Sequence, residues 1–124
     1  MAIRTEIVTV TTAGAAGSAT GNATSRRPLN GKLVGLYIDY VTQPATTDVT
    51  ITTPTAPVKT LLTLTDANTD GWFYPRYVVH GETGTALTGT SGGDRTMHPI
   101  DDYVKVAVAQ GDAGSVVVYF LYET

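Results

Sequence analysis

The stretch YVKVAVAQGDAGSVVVYFLY, residues 103–122, decides the fold class. In its first half, Val104, Val106 and Val108 recur at every second position, which is the period of a strand with one buried face. Small and turn-forming residues follow at 110–114, and an apolar run then fills 116–121. The stretch therefore predicts two strands, at 103–109 and 115–122, joined by a hairpin loop.

A helix is the alternative interpretation of the first half of this stretch. Two aspartates, Asp101 and Asp102, would suit a first helical turn. Four apolar residues have helical spacing: Ile100, Val104, Ala107 and Val108. Three valines in five positions disfavour a helix, however, and the glycine-rich turn fits a hairpin. We therefore predict a strand here.

Five further strands are predicted upstream, at residues 3–12, 33–41, 49–53, 58–64 and 72–79. Gly, Pro and Thr interrupt every window that a long helix would need. Pro75 has no amide donor, so the strand at 72–79 should lie at an edge or carry a bulge. The sequence thus predicts an all-β protein. We expect one domain over residues 1–124, a single antiparallel β-sandwich (jelly-roll or Ig-like) of about seven strands with long small-residue loops.

Two segments are predicted to be loops because they lack residues that could anchor a core. Residues 13–25, AGAAGSATGNATS, contain only small side chains. We expect a flexible loop at about 13–27 that is dispensable for folding and becomes ordered on contact with a partner. Residues 81–93, rich in Gly and Thr, form the second predicted loop.

Composition and charge exclude several classes of function. The net charge is −3, with 8 basic and 11 acidic residues, which argues against nucleic-acid binding and against a polybasic membrane anchor. The absence of Cys excludes disulfides, thiol catalysis and cysteine-bound metals. We expect no signal peptide, since the first residues lack an apolar region, and no membrane helix, since no apolar run approaches about 20 residues.

No motif predicts a catalytic, cofactor or metal site. The sequence at 66–71, DANTDG, matches the first half of an EF-hand calcium loop, but the Glu expected at loop position twelve is replaced by Tyr77. We interpret it as a turn without calcium. His80 and His98, near Asp94, have no recognised ligand spacing, and nucleophile and phosphate-binding motifs are absent. We predict that the protein is not an enzyme.

Aromatic and basic residues supply the candidate interface. Alternation places Trp72, Tyr74 and Arg76 on one face of their predicted strand, with Phe73 and Tyr77 on the other face or beyond a bulge. Trp, Tyr and Arg are enriched at protein–protein contacts. An aromatic platform for a sugar or a single-stranded nucleic acid is the alternative.

A basic pair follows the predicted flexible loop. Arg26 and Arg27 form the only such pair in the chain and would suit an acidic partner, although a merely solvated pair fits equally well.

Four stretches resemble small virion proteins of tailed bacteriophages: the Thr-rich start at 3–12, PATTDVTI at 44–51, DGWFYPR at 70–76 and PIDDYVKV at 99–106. The functional group that they are most similar to is the capsid decoration, or cement, proteins. The resemblance implies a β-rich fold, a place on the capsid surface of the virion, and no enzymatic activity. It also implies the major capsid protein and copies of the chain itself as partners, commonly in a homotrimer.

Two other functions remain open at this point. One is another virion component, such as a tail, neck or fibre part. The other is a carbohydrate-binding β-sandwich module that uses Trp72 and Tyr74, which would require exposed and coplanar rings.

Overall fold

The chain folds almost entirely into β-strands in a computed structural model that describes residues 2–85 and 95–124. Most of the loop predicted at 81–93, and Asp94, lie outside the described residues. Eleven strands are present: β1 Ile3–Thr12, β2 Ala19–Thr24, β3 Leu29–Asp39, β4 Asp48–Thr53, β5 Lys59–Leu64, β6 Gly71–Phe73, β7 Arg76–Val78, β8 Arg95–Met97, β9 Pro99–Asp102, β10 Lys105–Gly111 and β11 Gly114–Glu123. The described residues contain no helix, and therefore no helix that could span a membrane.

All strand pairs are antiparallel, and most strands belong to two sheets. The first sheet has the order β1-β11-β3-β6, and β9 pairs with the first part of β3. The second sheet has the order β2-β10-β4-β5, while β7 and β8 form a small separate pair. The predicted all-β, antiparallel class is therefore confirmed, with more strands than the seven or so expected from the sequence.

The two sheets are joined along one side, where the chain passes twice from one sheet to the other. The connection from β1 to β2 carries a bridge between Ala13 and Thr20, and the short turn after β10 leads directly into β11. Gly21 in β2 lies against the carbonyl oxygen of Thr11 in β1, where a Cβ atom would collide with it. The result is a curled, half-barrel arrangement around one interior.

A single hydrophobic core fills this interior and receives side chains from both sheets. The alternation expected at 103–109 is present, since Val104, Val106 and Val108 are buried, and the strand prediction there is confirmed. The largest fully buried side chains include Tyr40 and Phe120. Because β-branched residues pack well on pleated surfaces, the Val-rich strands form a tightly filled centre.

The segment 13–25 is not the flexible loop that the sequence predicted. Residues 19–24 form β2, which pairs with β10 from Ala19↔Gly111 to Thr24↔Lys105. Ala19 is completely buried. Small side chains are needed here because β1 and β2 come close together where the sheets join. Residues whose composition predicted a loop therefore form a strand that packs closely against β1.

The strand predicted at 72–79 is divided into two. The chain leaves the first sheet at Tyr74 and Pro75, so that β6 ends at Phe73 and β7 pairs with β8 elsewhere. Strand β6 lies at the edge of the sheet, and Pro75 comes after its last residue. The amide that Pro75 lacks is therefore not needed for a hydrogen bond between strands.

Candidate functional site

An exposed row of aromatic side chains crosses the outer face of the first sheet. It consists of Tyr119 on β11, Tyr37 on β3, Trp72 on β6 and Tyr74 just beyond β6; we call it the aromatic row. The strand register brings the first three side by side, with Tyr119 opposite Tyr37 and Tyr37 opposite Trp72. On the other side of Tyr119, the register continues to Ile7 on the edge strand β1.

Successive rings of the aromatic row are in contact distance of one another. The ring centroids are 6.2 Å apart for Tyr119 and Tyr37, 5.5 Å for Tyr37 and Trp72, and 6.4 Å for Trp72 and Tyr74. Tyr37 meets Trp72 edge to face, whereas the planes of Trp72 and Tyr74 are only 14° from parallel. Such pairs stabilise each other beyond the area they bury, so the rings form an ordered surface.

Two rings of the aromatic row, Trp72 and Tyr74, keep much of their area in solvent, while Tyr37 and Tyr119 are half-buried. Trp72 is 52% exposed and Tyr74 is 61% exposed, which is unusual for side chains of this size. Gly35 gives the Tyr74 ring room, because a Cβ atom at residue 35 would lie only 2.9 Å from that ring. The absence of a side chain at this position of β3 therefore leaves space for the Tyr74 ring.

A shallow depression of about 430 Å³ lies beside the row, lined by Thr5, Tyr37, Asp39, Trp72 and Tyr119. Its walls are mostly apolar, and Asp39 is the one charged residue among them. The Asp39 carboxylate accepts a hydrogen bond from the backbone amide of Val41 at 2.9 Å. This mostly apolar arrangement suits contact with a surface or a flat ring.

The five interface residues predicted from the sequence do not form one cluster. Trp72 and Tyr74 both belong to the aromatic row, while Phe73 packs against the core. Arg76 lies beyond the break at Pro75, in the β7–β8 pair, and its guanidinium donates to the carbonyl of Pro75 at 2.9 Å. Arg76 is thereby separated from the two rings by the change of sheet.

Arg26 and Arg27 lie at the edge of the first sheet instead, beside β1. Arg27 approaches the carboxylate of Glu6 at 4.0 Å but remains largely in solvent. Arg26 lines a second shallow groove of about 480 Å³, together with Thr5, Glu6, Ile7 and Thr9. Thr5 lines both depressions, so Arg26 adjoins the face that carries the aromatic row.

Sequence reasoning did not identify Tyr37 and Tyr119 as members of the site. Both occupy outward positions in strands that the sequence predicts. Their assembly with Trp72 depends on strand order and register, which the sequence does not display. The signal that could have found them is the aromatic residue at an outward position of each strand.

The histidines and the turn at 66–71 take part in other contacts. His98 is buried, and its ring lies 5.2 Å from that of Tyr77, over which the Lys59 ammonium sits at 5.0 Å. Burial, reinforced by the charges of Lys59 and Arg76, lowers the pKa of His98. Over residues 2–85 and 95–124, no three His, Asp or Glu side chains form a group that could hold a metal ion.

The turn at 66–71 directs its polar side chains toward the end of β3 and the loop that follows it. The Asp70 carboxylate accepts the amide of Tyr40 at 2.8 Å, and the Asn68 amide donates to the carbonyl of Gln43 at 3.1 Å. Asp66 adopts a positive φ of 52°, as Asp tolerates in tight turns. These side chains hold the connection between β5 and β6 onto the body of the protein.

Comparison of the chain with protein-family models, with curated proteins and with solved structures found no match.

Proposed function

We propose that the protein is a non-enzymatic structural subunit of a tailed-bacteriophage virion that decorates and stabilises the capsid through protein–protein contacts. The observation that carries the proposal is the exposed aromatic row on a sheet whose other face is a fully packed core. Large rings held on a rigid support lose little entropy on binding, and Trp and Tyr dominate the energetics of protein interfaces.

The resemblance of the four sequence stretches to small virion proteins supplies the setting. In this proposal the partners are the major capsid protein and copies of the chain itself, as a homotrimer, on the capsid surface. The two sheets would then act as one stiff β-sandwich of jelly-roll or Ig-like type, a body suited to bridging neighbouring capsid subunits. No cofactor, nucleic acid or membrane has a part in this function.

Carbohydrate binding is the second candidate, favoured by one observation. Trp72 and Tyr74 are both exposed and lie within 14° of parallel, an arrangement against which a sugar ring can stack. The exposed walls of the shallow depression beside them are mostly apolar, which leaves little polar surface to recognise sugar hydroxyls. We therefore place protein contact first.

Particle binding with matched variants tests the proposal. Capsids that lack the protein are mixed with the wild type, with Trp72→Ala or with Tyr103→Ala, which removes an exposed ring outside the row. We expect Trp72→Ala to weaken binding roughly thirty-fold, as for a central interface residue, and Tyr103→Ala to have little effect. Equal binding by all three chains would contradict the role of the row.

Imaging of complete virions tests the location. Density for the chain on the capsid, at a copy number comparable to that of the major capsid protein, supports decoration. A copy number far below it would assign the chain to a tail, neck or fibre part. Binding to a glycan array that Trp72→Ala abolishes, without binding to capsids, would favour the carbohydrate module.

A further inference from the structure

Within residues 2–85 and 95–124, strand β1 has a free edge along much of its length. One side of β1 pairs with β11 from Ile3 to Thr12, whereas the other side is joined to the described chain only by the bridge between Ala13, just beyond β1, and Thr20. The groove lined by Thr5, Glu6, Ile7, Thr9 and Arg26 runs beside the free part. Ile3 and Ile7 are 55% and 52% exposed. An open edge of this kind is a template for another strand.

Other edges in the described part of the chain are shorter or interrupted. Strand β6 has three residues and is followed by Pro75, and β9 has four and begins at Pro99. Strand β5 carries an irregularity in its pairing with β4. Such features blunt an edge against pairing. Strand β1 has no proline and no bulge, and the charge of its inward-pointing Glu6 is approached by Arg27 at 4.0 Å. It is therefore the longest of these edges without an interruption of the backbone.

The hydrogen-bond pattern shows which backbone groups of β1 are unpaired. The amide of Thr124 donates to the carbonyl of Ala2 at 2.9 Å, and on the opposite side of the strand Ala13 exchanges two bonds with Thr20. Antiparallel strands alternate the direction of their backbone groups. The backbone groups of even-numbered residues of β1 therefore bond to β11. The amides and carbonyls of Ile3, Thr5 and Ile7 point the other way, outward from the free edge in the plane of the sheet.

The sequence of this edge is complementary to itself. When a second β1 is placed antiparallel with Thr5 opposite Thr5, the outward backbone groups of the two strands meet. The same register puts Ile3 opposite Ile7, so that apolar meets apolar on the outer face. It also puts Arg4 opposite Glu6, a mostly buried carboxylate that Arg27 of the same chain approaches at 4.0 Å, so that opposite charges meet on the inner face. A shift by two residues either way would place Arg4 opposite Arg4 or Glu6 opposite Glu6, and like charges directly opposite are destabilising.

We propose that two copies of this chain pair through the free edges of β1 in this register, joining their first sheets into one continuous sheet around a two-fold axis. The contact is isologous, since each copy uses the same surface, and it closes at two subunits. It places Ile7, the neighbour of Tyr119 in the aromatic row, opposite Ile3 of the second copy. The outer faces of the two first sheets then form one continuous surface. The inference does not depend on a capsid and is separate from any trimer contact.

Sedimentation of the purified, tag-free chain with two substitutions at one position tests the backbone pairing. We expect the wild type and Thr5→Ala to form dimers that dissociate on dilution, and Thr5→Pro to remain monomeric, because proline removes the central outward amide. The Thr5 amide faces away from β11, so the internal sheet keeps its bonds. A monomer at every concentration, or a dimer that Thr5→Pro leaves intact, would overturn the proposal.

The register has its own test, which also serves if Thr5→Pro fails to fold. Arg4→Glu places two acidic residues opposite each other twice in the dimer and should weaken dimerisation roughly ten-fold. Arg95→Glu makes the same change of charge on β8, away from this edge, and should leave the dimer as in the wild type. Equal effects of the two substitutions would show that the proposed register is wrong, as would a trimer that neither substitution disturbs.

Discussion

His98 is a titratable side chain placed where its charged form is unfavourable. Its ring is buried against Tyr77, and within the described residues its Nδ1 atom has no hydrogen-bond partner. Burial and, to a smaller extent, the charges of Lys59 and Arg76 lower its pKa below the value it has in the unfolded chain. The folded protein therefore holds His98 neutral under conditions in which the unfolded chain begins to take up a proton.

We expect this histidine to make stability depend on pH in a defined direction. Between the ordinary histidine pKa of about 6.5 and the lowered folded value, the unfolded state binds more protons than the native state. The free energy of unfolding is therefore at its full value above that range and falls as the pH drops through it. Urea denaturation of the wild type at a series of pH values between 7 and 5 measures the slope.

Two glutamine substitutions separate this effect from other titrations. His98→Gln removes the buried titrating group and should flatten the pH dependence over that range. His80→Gln changes an exposed histidine and should keep the slope of the wild type. A slope that persists unchanged in His98→Gln would contradict the assignment.

For individual residues, the sequence identified part of the candidate site. Trp72 and Tyr74 were predicted to share one face of their strand, because alternation along a single strand is enough to place them together. Tyr37 and Tyr119 were not joined to them, because no local pattern reports which strands become neighbours. Arg76 was placed with the rings by the same alternation, and the break at Pro75 separates it from them.

Among the strands, the predicted bounds are most accurate where the local sequence pattern is strongest. Strand β1 has the predicted bounds, because a stretch of ten residues with eight Ile, Val and Thr is followed directly by Ala and Gly. In β3, Leu36 and Ile38 are buried at alternate positions, but a bulge in the pairing with β11 omits Val34, and Leu33 is buried instead. Bulges depend on the partner strand, so a single strand's sequence does not reveal them.

Strand β2 is the element for which composition was misleading. Its residues have neither apolar periodicity nor high β-propensity, and its formation depends on β10 beside it and β1 against it. The close approach of β1 makes small size the requirement. Deletion of residues 13–25 would consequently remove β2 from the second sheet together with the buried Ala19, so this segment is not expected to be dispensable for folding.

Alanine substitutions at two glycines test this explanation. A Cβ atom at Gly21 would collide with the backbone of Thr11, so we expect Gly21→Ala to lower the free energy of unfolding by about 1 to 3 kcal/mol. Gly71 in β6 has open space around it, and Gly71→Ala should leave stability unchanged or raise it by up to about 1 kcal/mol. Thermal unfolding followed by circular dichroism compares them, and an undisturbed Gly21→Ala would refute the close approach.

For the molecule as a whole, the corner at which the two sheets join is held by one buried amide. The Gln43 side chain donates to the hydroxyl of Thr12 at 3.2 Å and accepts the amide of Asp112 at 2.9 Å. Thr12 in turn donates to the carbonyl of Asp112 at 2.7 Å. The loop after β3, the end of β1 and the turn before β11 are thereby tied together, a long-range arrangement that the local sequence pattern did not indicate.

We expect Gln43→Ala to destabilise both sheets at once, by about 2 kcal/mol, because it leaves the Asp112 amide without its partner. Hydrogen exchange should then show β1 and β4 losing protection by the same free energy, since they share one core. Gln110→Asn changes an exposed amide and should alter stability by less than about 0.5 kcal/mol. Loss of protection confined to one sheet would mean that the corner does not couple them.

The position of Trp72 has a practical consequence, because it is the only tryptophan of the chain. Its indole lies half in water, in the middle of the face to which we assign partner contact. Fluorescence excited at the indole band therefore arises from this face alone. A partner that covers it should shift the emission toward shorter wavelengths, so that docking can be followed in solution without an added dye.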